Sequence, residues 1–151
     1  MMEGVAVEKL RVVPDERGRL TEILRCDSEL FSKFGQVYAT ATYSGVIKAW
    51  HMHRTQADNV TCLSGMIKLV LYDGRESSST RGEIMELFVG EHNPVLVHIP
   101  AGVFHGWKCI SELEACMMNV PTEPYNYRDP DEYRLPMDAS EIPYDWEIKM
   151  G

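Results

Sequence analysis

The chain has 151 residues, 44% of them apolar and 25% charged. That balance suits one folded domain and excludes wholesale disorder, a collagen-like repeat and a disulfide-dense scaffold. Fifteen basic against 23 acidic side chains leave a formal net charge of −8, which disfavours binding along a nucleic-acid backbone but leaves room for a local cationic pocket for one phosphorylated molecule.

No apolar run approaches the ~20 residues that span a bilayer, and Met1-Met2-Glu3-Gly4 carries neither a basic nor an apolar leader, so a cytoplasmic protein with no membrane partner is expected. Cys26, Cys62, Cys109 and Cys116 form no C-x-x-C pair and read as reduced thiols. Neither a linker nor a repeat interrupts residues 1–151, which read as one unit.

In chain order, Ser28–Phe34 reads as a short helix, opened by Asp27 or Ser28 and stopped at Gly35. Runs rich in Val, Ile, Leu, Thr and Tyr follow, and they predict strands over Gln36–Tyr43, Ile47–His53, Val60–Leu63, Met66–Tyr72, Ile84–Val89, Val95–Ile99, Gly106–Cys109 and Ala115–Val120. Ser44-Gly45, Asp73-Gly74, Asn93-Pro94 and Pro100-Ala101-Gly102 punctuate them, and Leu63-Ser64-Gly65-Met66 reads as a tight hairpin. Eight closely spaced strands predict an all-β sandwich or small barrel. From Pro121 onward the composition turns to Pro, Tyr and Asp, which predicts an irregular tail with Tyr144 and Trp146 as packing anchors.

The chemistry gathers in His51-Met52-His53, Asp58 and His105. Residues two apart on a strand share a face, so His51 and His53 aim into one cavity while Trp50 and Met52 face away. A carboxylate from the next strand and an imidazole from a distant one complete a four-ligand metal set of His51, His53, Asp58 and His105, whose donors suit Fe, Mn, Ni, Co or Zn. For a lone H-x-H pair, two hydrogen-bonded or exposed histidines remain the plainer alternative.

The order Gly45, His51, His53, Asp58, Gly65, followed by Pro100-x-Gly102-x-x-His105, resembles the paired motifs of the cupin superfamily, with Asp58 in place of the usual Glu and Cys109 in place of the final Asn. A narrower resemblance rests on Asp15-Glu-Arg-Gly18-Arg-Leu20, Gly45-Val-Ile-Lys48-Ala-Trp-His51, Asp73-Gly-Arg75 through Thr80-Arg-Gly82, Ile99-Pro-Ala-Gly102-Val-Phe-His105-Gly106 and Ile142-Pro-Tyr-Asp-Trp146. In that order these blocks resemble the dTDP-4-dehydrorhamnose 3,5-epimerase family of the cupins. The resemblance implies a homodimeric antiparallel jelly roll that binds a dTDP-4-keto-6-deoxyhexose-type sugar nucleotide and moves protons beside its ketone. Such a reaction belongs to rhamnose and polysaccharide biosynthesis and requires no redox cofactor.

By motif position the resemblance implies His51 as base, with Lys48 and His105 as further catalytic groups, and Arg17, Lys48, Arg75 and Tyr125 as substrate contacts. The family's catalytic lysine falls at Asp58 and its tyrosine near Met118, so both read as missing, with Asp145 as the stand-in that orients the base. Together with His53, Asp58 restores the metal-cupin pattern, and His51 is then a ligand in place of a base. Proton carriers in that case are Tyr43, Tyr72, Tyr125, Tyr127 or a bound water. Two other functions stay open on the sequence: a metal-dependent cupin isomerase, lyase or dioxygenase acting on another small molecule, and a non-catalytic nucleotide-sugar-binding cupin.

Overall fold

The computed structural model describes residues 1–149. Its strands are β1 (Ala6–Lys9), β2 (Val12–Asp15), β3 (Gly18–Thr21), β4 (Tyr38–Thr42), β5 (Ile47–Met52), β6 (Asp58–Ser64), β7 (Met66–Asp73), β8 (Ile84–Gly90), β9 (Val95–Ile99), β10 (Val103–Cys109), β11 (Ala115–Asn119) and β12 (Tyr133–Arg134). Two five-stranded sheets, β1-β9-β6-β11-β4 and β12-β5-β10-β7-β8, make a jelly roll, and β2-β3 stands as a separate hairpin. Every pairing between these strands is antiparallel. Among the described residues no helix is long and apolar enough to cross a membrane.

Two local expectations are corrected. Residues 28–34 form consecutive turns, not a helix: Ser28 N–H donates to Arg25 O and Phe31 N–H to Ser28 O, while the Ser28 hydroxyl takes the Leu30 N–H. Seven residues are too few to offset helix nucleation, and the segment is anchored by Gly35 N–H donating to Pro121 O. Likewise, Leu63–Met66 is not a hairpin. β6 pairs with β9 and β11, whereas β7 pairs with β10 and β8, so Gly65 carries the chain across from one sheet to the other. Its φ of +72° and the Ser111 hydroxyl 2.7 Å from where a Cβ would sit leave glycine as the residue that fits this corner.

Alternation along β7 and β10 explains why both are buried on two faces. Ile67, Leu69 and Leu71 of β7 join Val103, Trp107 and Cys109 of β10 in the core between the sheets, with Val60, Val97, Ile99 and Met117 from the facing sheet. The opposite face carries Val70, Tyr72 and Phe104, and there the tail residues Ile142, Tyr144 and Trp146 close over Trp50. Trp50 and Trp146 lie with ring centroids 5.1 Å apart, and Tyr144 meets both edge-on. The tail anchors expected from the sequence therefore pack as expected.

Asp73 organises the end of β7. Its fully buried carboxylate accepts from Arg75 Nε (2.8 Å) and Nη2 (2.7 Å), Ser78 Oγ (2.6 Å) and Thr80 Oγ1 (2.7 Å), and Arg75 Nη2 also donates to Glu3 O (2.6 Å). The Arg75 guanidinium, aided by the two hydroxyls, holds the Asp73 carboxyl well below the usual carboxylate range against the cost of burial. A depressed folded value contributes stability that is present above the unfolded value of about 3.9 and is lost as pH falls below it. Asp73→Ala is expected to cost about 3 kcal/mol in denaturant unfolding at pH 7 and to flatten the acid side of the stability curve. A loss under about 0.5 kcal/mol, or an unchanged acid slope, would contradict this role.

Gly106 allows β10 and β5 to approach closely where the register shifts between His105 and Trp107. A methyl there would overlap the Ala49 methyl and sit 2.9 Å from Ala49 Cα. Gly106→Ala should therefore lower stability by about 1–3 kcal/mol and displace the His51 imidazole resonances, whereas a neutral variant would contradict the packing.

Candidate functional site

A cavity of about 830 Å³ opens between the sheets against one side of the core. Its floor is apolar, made by Val60, Leu69, Trp107 and Met117, and its polar groups arrive by strand parity. His51 on β5 and His53 just after it face the cavity together, while Trp50 points the other way into the tail cluster; Lys48, on the parity of Trp50, lines the cavity beyond the register shift between β5 and β10. On β10, His105 and Trp107 point inward, and the β5–β10 register sets His105 opposite His51 with ring centroids 6.0 Å apart. His51 also lies 5.8 Å from the Trp107 ring.

Asp58 begins β6 and is 2% exposed. Its Oδ1 accepts from Gln56 Nε2 (3.0 Å) and Asn119 Nδ2 (2.9 Å). Its Oδ2 lies 3.4 Å from His53 Nε2 and 3.4 Å from His105 Nε2. The other nitrogen of each ring faces a carbonyl: His53 Nδ1 meets Asp131 O, and His105 Nδ1 meets Val103 O at 3.3 Å. A carbonyl only accepts, so Nδ1 carries a proton in both rings, and the Nε2 of each ring faces Asp58.

The loop that joins His53 to Asp58 is held by Asp131. Its carboxylate accepts from Arg54 N (2.9 Å), Thr55 N (2.8 Å), Thr55 Oγ1 (2.6 Å) and Gln56 N (3.2 Å). Burial raises the Asp131 carboxyl, but Thr55 and the three backbone donors together bring it down to about 2. Arg54 stacks over the Tyr133 ring at 4.1 Å and closes the outside of the loop.

His51 stands apart from the Asp58 cluster. Burial pushes its imidazole down to about 4; the neighbouring His105 and Arg134 add to the shift, and Glu132 opposes it. His51 is thus neutral near pH 7, with a lone pair free to take a proton. Burial likewise lowers His105, against the attraction of Asp58, and raises Tyr38, with Asp58 adding to the effect. Tyr38 OH accepts from Asn119 Nδ2 at 2.9 Å at the edge of the same cavity.

The residues expected at the site divide by location. His51, His53, His105, Lys48 and Tyr125 line the cavity, and Asp58 is sealed behind His53 and His105. Lys48 Nζ donates to Ala41 O at 2.8 Å. Arg75 lies elsewhere, committed to Asp73 and Glu3, and Arg17 pairs with Asp15 at the tip of the β2-β3 hairpin with an 85% exposed side chain. Asp145 is exposed on the tail and accepts from Glu147 N, so it does not orient His51.

Met118 has the wrong parity for a cavity group, since Met117 and Asn119 are the residues of β11 that face inward. The tyrosines on the cavity are Tyr38, Tyr125 and Tyr127, the last two with ring centroids 4.9 Å apart. Tyr43 is exposed, and Tyr72 packs under the tail.

Six participants escaped the sequence reading: Tyr38, Gln56, Asn119, Asp131, Glu132 and Arg134. β12 sets Arg134 opposite His51, and Arg134 Nη2 pairs with Glu132 Oε1 at 2.7 Å. Alternation in Glu132-Tyr133-Arg134 was the available signal, too short to separate from the surrounding tail. Asn119 could have been found by its parity with Met117.

The model of the family described as dTDP-4-dehydrorhamnose 3,5-epimerase matches residues 1–151. A probable low-salt glycan biosynthesis epimerase of Haloferax volcanii is 40% identical over 151 residues, covering 99% of this chain and 97% of the relative. A spore coat polysaccharide biosynthesis protein of Bacillus subtilis is 41% identical over 149 residues, covering 99% of each chain. The crystal structure of a dTDP sugar isomerase from Desulfovibrio desulfuricans superposes with a TM-score of 0.91 at 34% identity, covering 96% of this chain and 92% of that one. The chain belongs to the dTDP-4-dehydrorhamnose 3,5-epimerase family.

Proposed function

We propose that this protein is a cytoplasmic nucleotide-sugar epimerase that moves a proton beside the ketone of a dTDP-4-keto-6-deoxyhexose-type sugar, with His51 as the base. The observation that carries the reading is a half-buried, neutral His51 facing the shared cavity of a chain that belongs to an epimerase family. Abstraction of a carbon-bound proton needs a base held free of other partners, a group that stabilises the enolate oxygen and an acid that returns the proton. His51 meets the first need, and Glu132 stabilises the imidazolium that forms. Tyr125 and Tyr127 supply hydroxyl donors on the same cavity, and Lys48 and Arg134 supply its cationic groups for a diphosphate.

Of the four residues read as a metal set, His53, Asp58 and His105 bring donor atoms within 4.8 Å of one another, so an ion there would sit beside His51 and not on it. His51 then keeps the role of base in either case.

A homodimer belongs to the same reading. The separate β2-β3 hairpin exposes Val13 at 43% and Leu20 at 60%, which a second copy would cover, and Arg17 at its tip would then reach a cavity only in that assembly. Sedimentation should give twice the chain mass, and a monomer at micromolar concentration would remove Arg17 from the account.

Incubation with a dTDP-4-keto-6-deoxy sugar in heavy water should place deuterium at C3 or C5. His51→Asn should slow that exchange by about 10²–10⁴-fold. Absence of label with the native protein, or an unaffected rate in the variant, would reject the reading.

A further inference from the structure

Three lone-pair acceptors converge at the closed end of the cavity. The Nδ1–H groups of His53 and His105 are spent on the carbonyls of Asp131 and Val103, so in the neutral form of each ring Nε2 is the acceptor. Asp58 Oδ1 is occupied by the amides of Gln56 and Asn119, which leaves Oδ2 as the third acceptor. Acceptors brought together in a buried place repel one another unless something positive lies among them.

A shared proton fits this spacing poorly. Charge-assisted N–H···O bonds run at about 2.7–2.9 Å, whereas Oδ2 stands 3.4 Å from both nitrogens alike. Two ligand atoms each about 2.1 Å from a common ion in tetrahedral geometry lie about 3.4 Å apart, the separation seen on both sides of Oδ2. The surrounding bonds are those that orient metal ligands: each imidazole is fixed by a carbonyl on its far nitrogen, and the carboxylate is fixed by two amides.

We infer that His53 Nε2, Asp58 Oδ2 and His105 Nε2 form a three-ligand site for a divalent transition-metal ion, with His51 excluded from the ligand set and left as base. An ion bound there would supply Lewis-acid polarisation of a substrate carbonyl oxygen. Asp131 is a positioning residue in this arrangement: its carbonyl sets the His53 tautomer, and its carboxylate fixes residues 54–56 between the first and second ligands. Asn119 performs the same service for Asp58, from a strand of the same sheet. The catalytic use of the ion rests on the epimerase reading; the binding site does not.

Binding is tested on full-length protein purified without a polyhistidine tag or chelator, by elemental analysis, calorimetric titration with Zn²⁺ and visible ligand-field spectra with Co²⁺. The native chain should bind close to one ion, with Co²⁺ bands of a low-coordinate nitrogen and oxygen site. Asp58→Asn, His53→Gln and His105→Gln should each weaken Zn²⁺ by about 100-fold or more, since loss of a supporting partner alone costs 10–100-fold. His51→Asn should bind within about threefold of the native affinity while losing deuterium exchange.

Thermal melts identify any variant that fails to fold, and the remaining ligand variants then carry the test. No Zn²⁺ binding tighter than micromolar in the native chain, native affinity in all folded ligand variants, or a comparable loss in His51→Asn would each overturn the site. Stoichiometric binding without isotope exchange would uphold the site and reject the epimerase reading instead.

Discussion

A carboxylate shut away from water between two imidazoles is the constraint around which the cavity is arranged. Asp58 is 2% exposed, and among the described residues neither a lysine nor an arginine is hydrogen-bonded to it; its partners are two amides and two ring nitrogens. Burying such a group is costly unless every lone pair is met, so the groups around it come from separate parts of the chain. Gln56 comes from the loop before β6, Asn119 from β11, His53 from the residue just after β5 and His105 from β10. The jelly roll is what brings these together, because β6 and β11 lie in one sheet and β5 and β10 in the other.

Rigidity around that point comes from burial on two sides. Core residues between the sheets press on β7 and β10 from within, and the tail presses from without through Ile142, Tyr144 and Trp146 on Trp50. Trp50 separates Ala49 from His51, so the packing of the tail bears on the strand that carries His51 and His53. Such support is what holds functional side chains to a fraction of an ångström. The tail thereby links the outer face of this sheet to the geometry inside the cavity, and β12 with the residue before it brings Arg134 and Glu132 to the cavity beside His51.

Much of this could be read in the sequence wherever a period was long enough to see. The H-x-H spacing placed His51 and His53 on one face and Trp50 on the other, as strand parity requires, and the Val- and Ile-rich runs marked eight of the strands. Their ends were less legible: Asp58 and His105 were left just outside the predicted strands and lie within β6 and β10. The short β1, β2, β3 and β12 carry too little alternation to stand out.

Local sequence could not tell whether Ser64-Gly65 folds β7 back onto β6 or turns it into the opposite sheet, because both use a glycine at positive φ. Arg75 misled for a related reason. An arginine two residues after an aspartate suits a phosphate contact and a local ion pair equally well, and the backbone turn at Gly74 decides for the ion pair.

Two functions sit side by side in this proposal without sharing a residue: a free imidazole at His51 and a three-donor centre at His53, Asp58 and His105. Anomalous diffraction from crystals grown without chelator and soaked in Zn²⁺ tests it most directly. The map should show a single cavity peak about 2.1 Å from His53 Nε2, Asp58 Oδ2 and His105 Nε2, with His51 beyond bonding distance. A peak bonded to His51, or soaked crystals with no peak among the three donors, would contradict it.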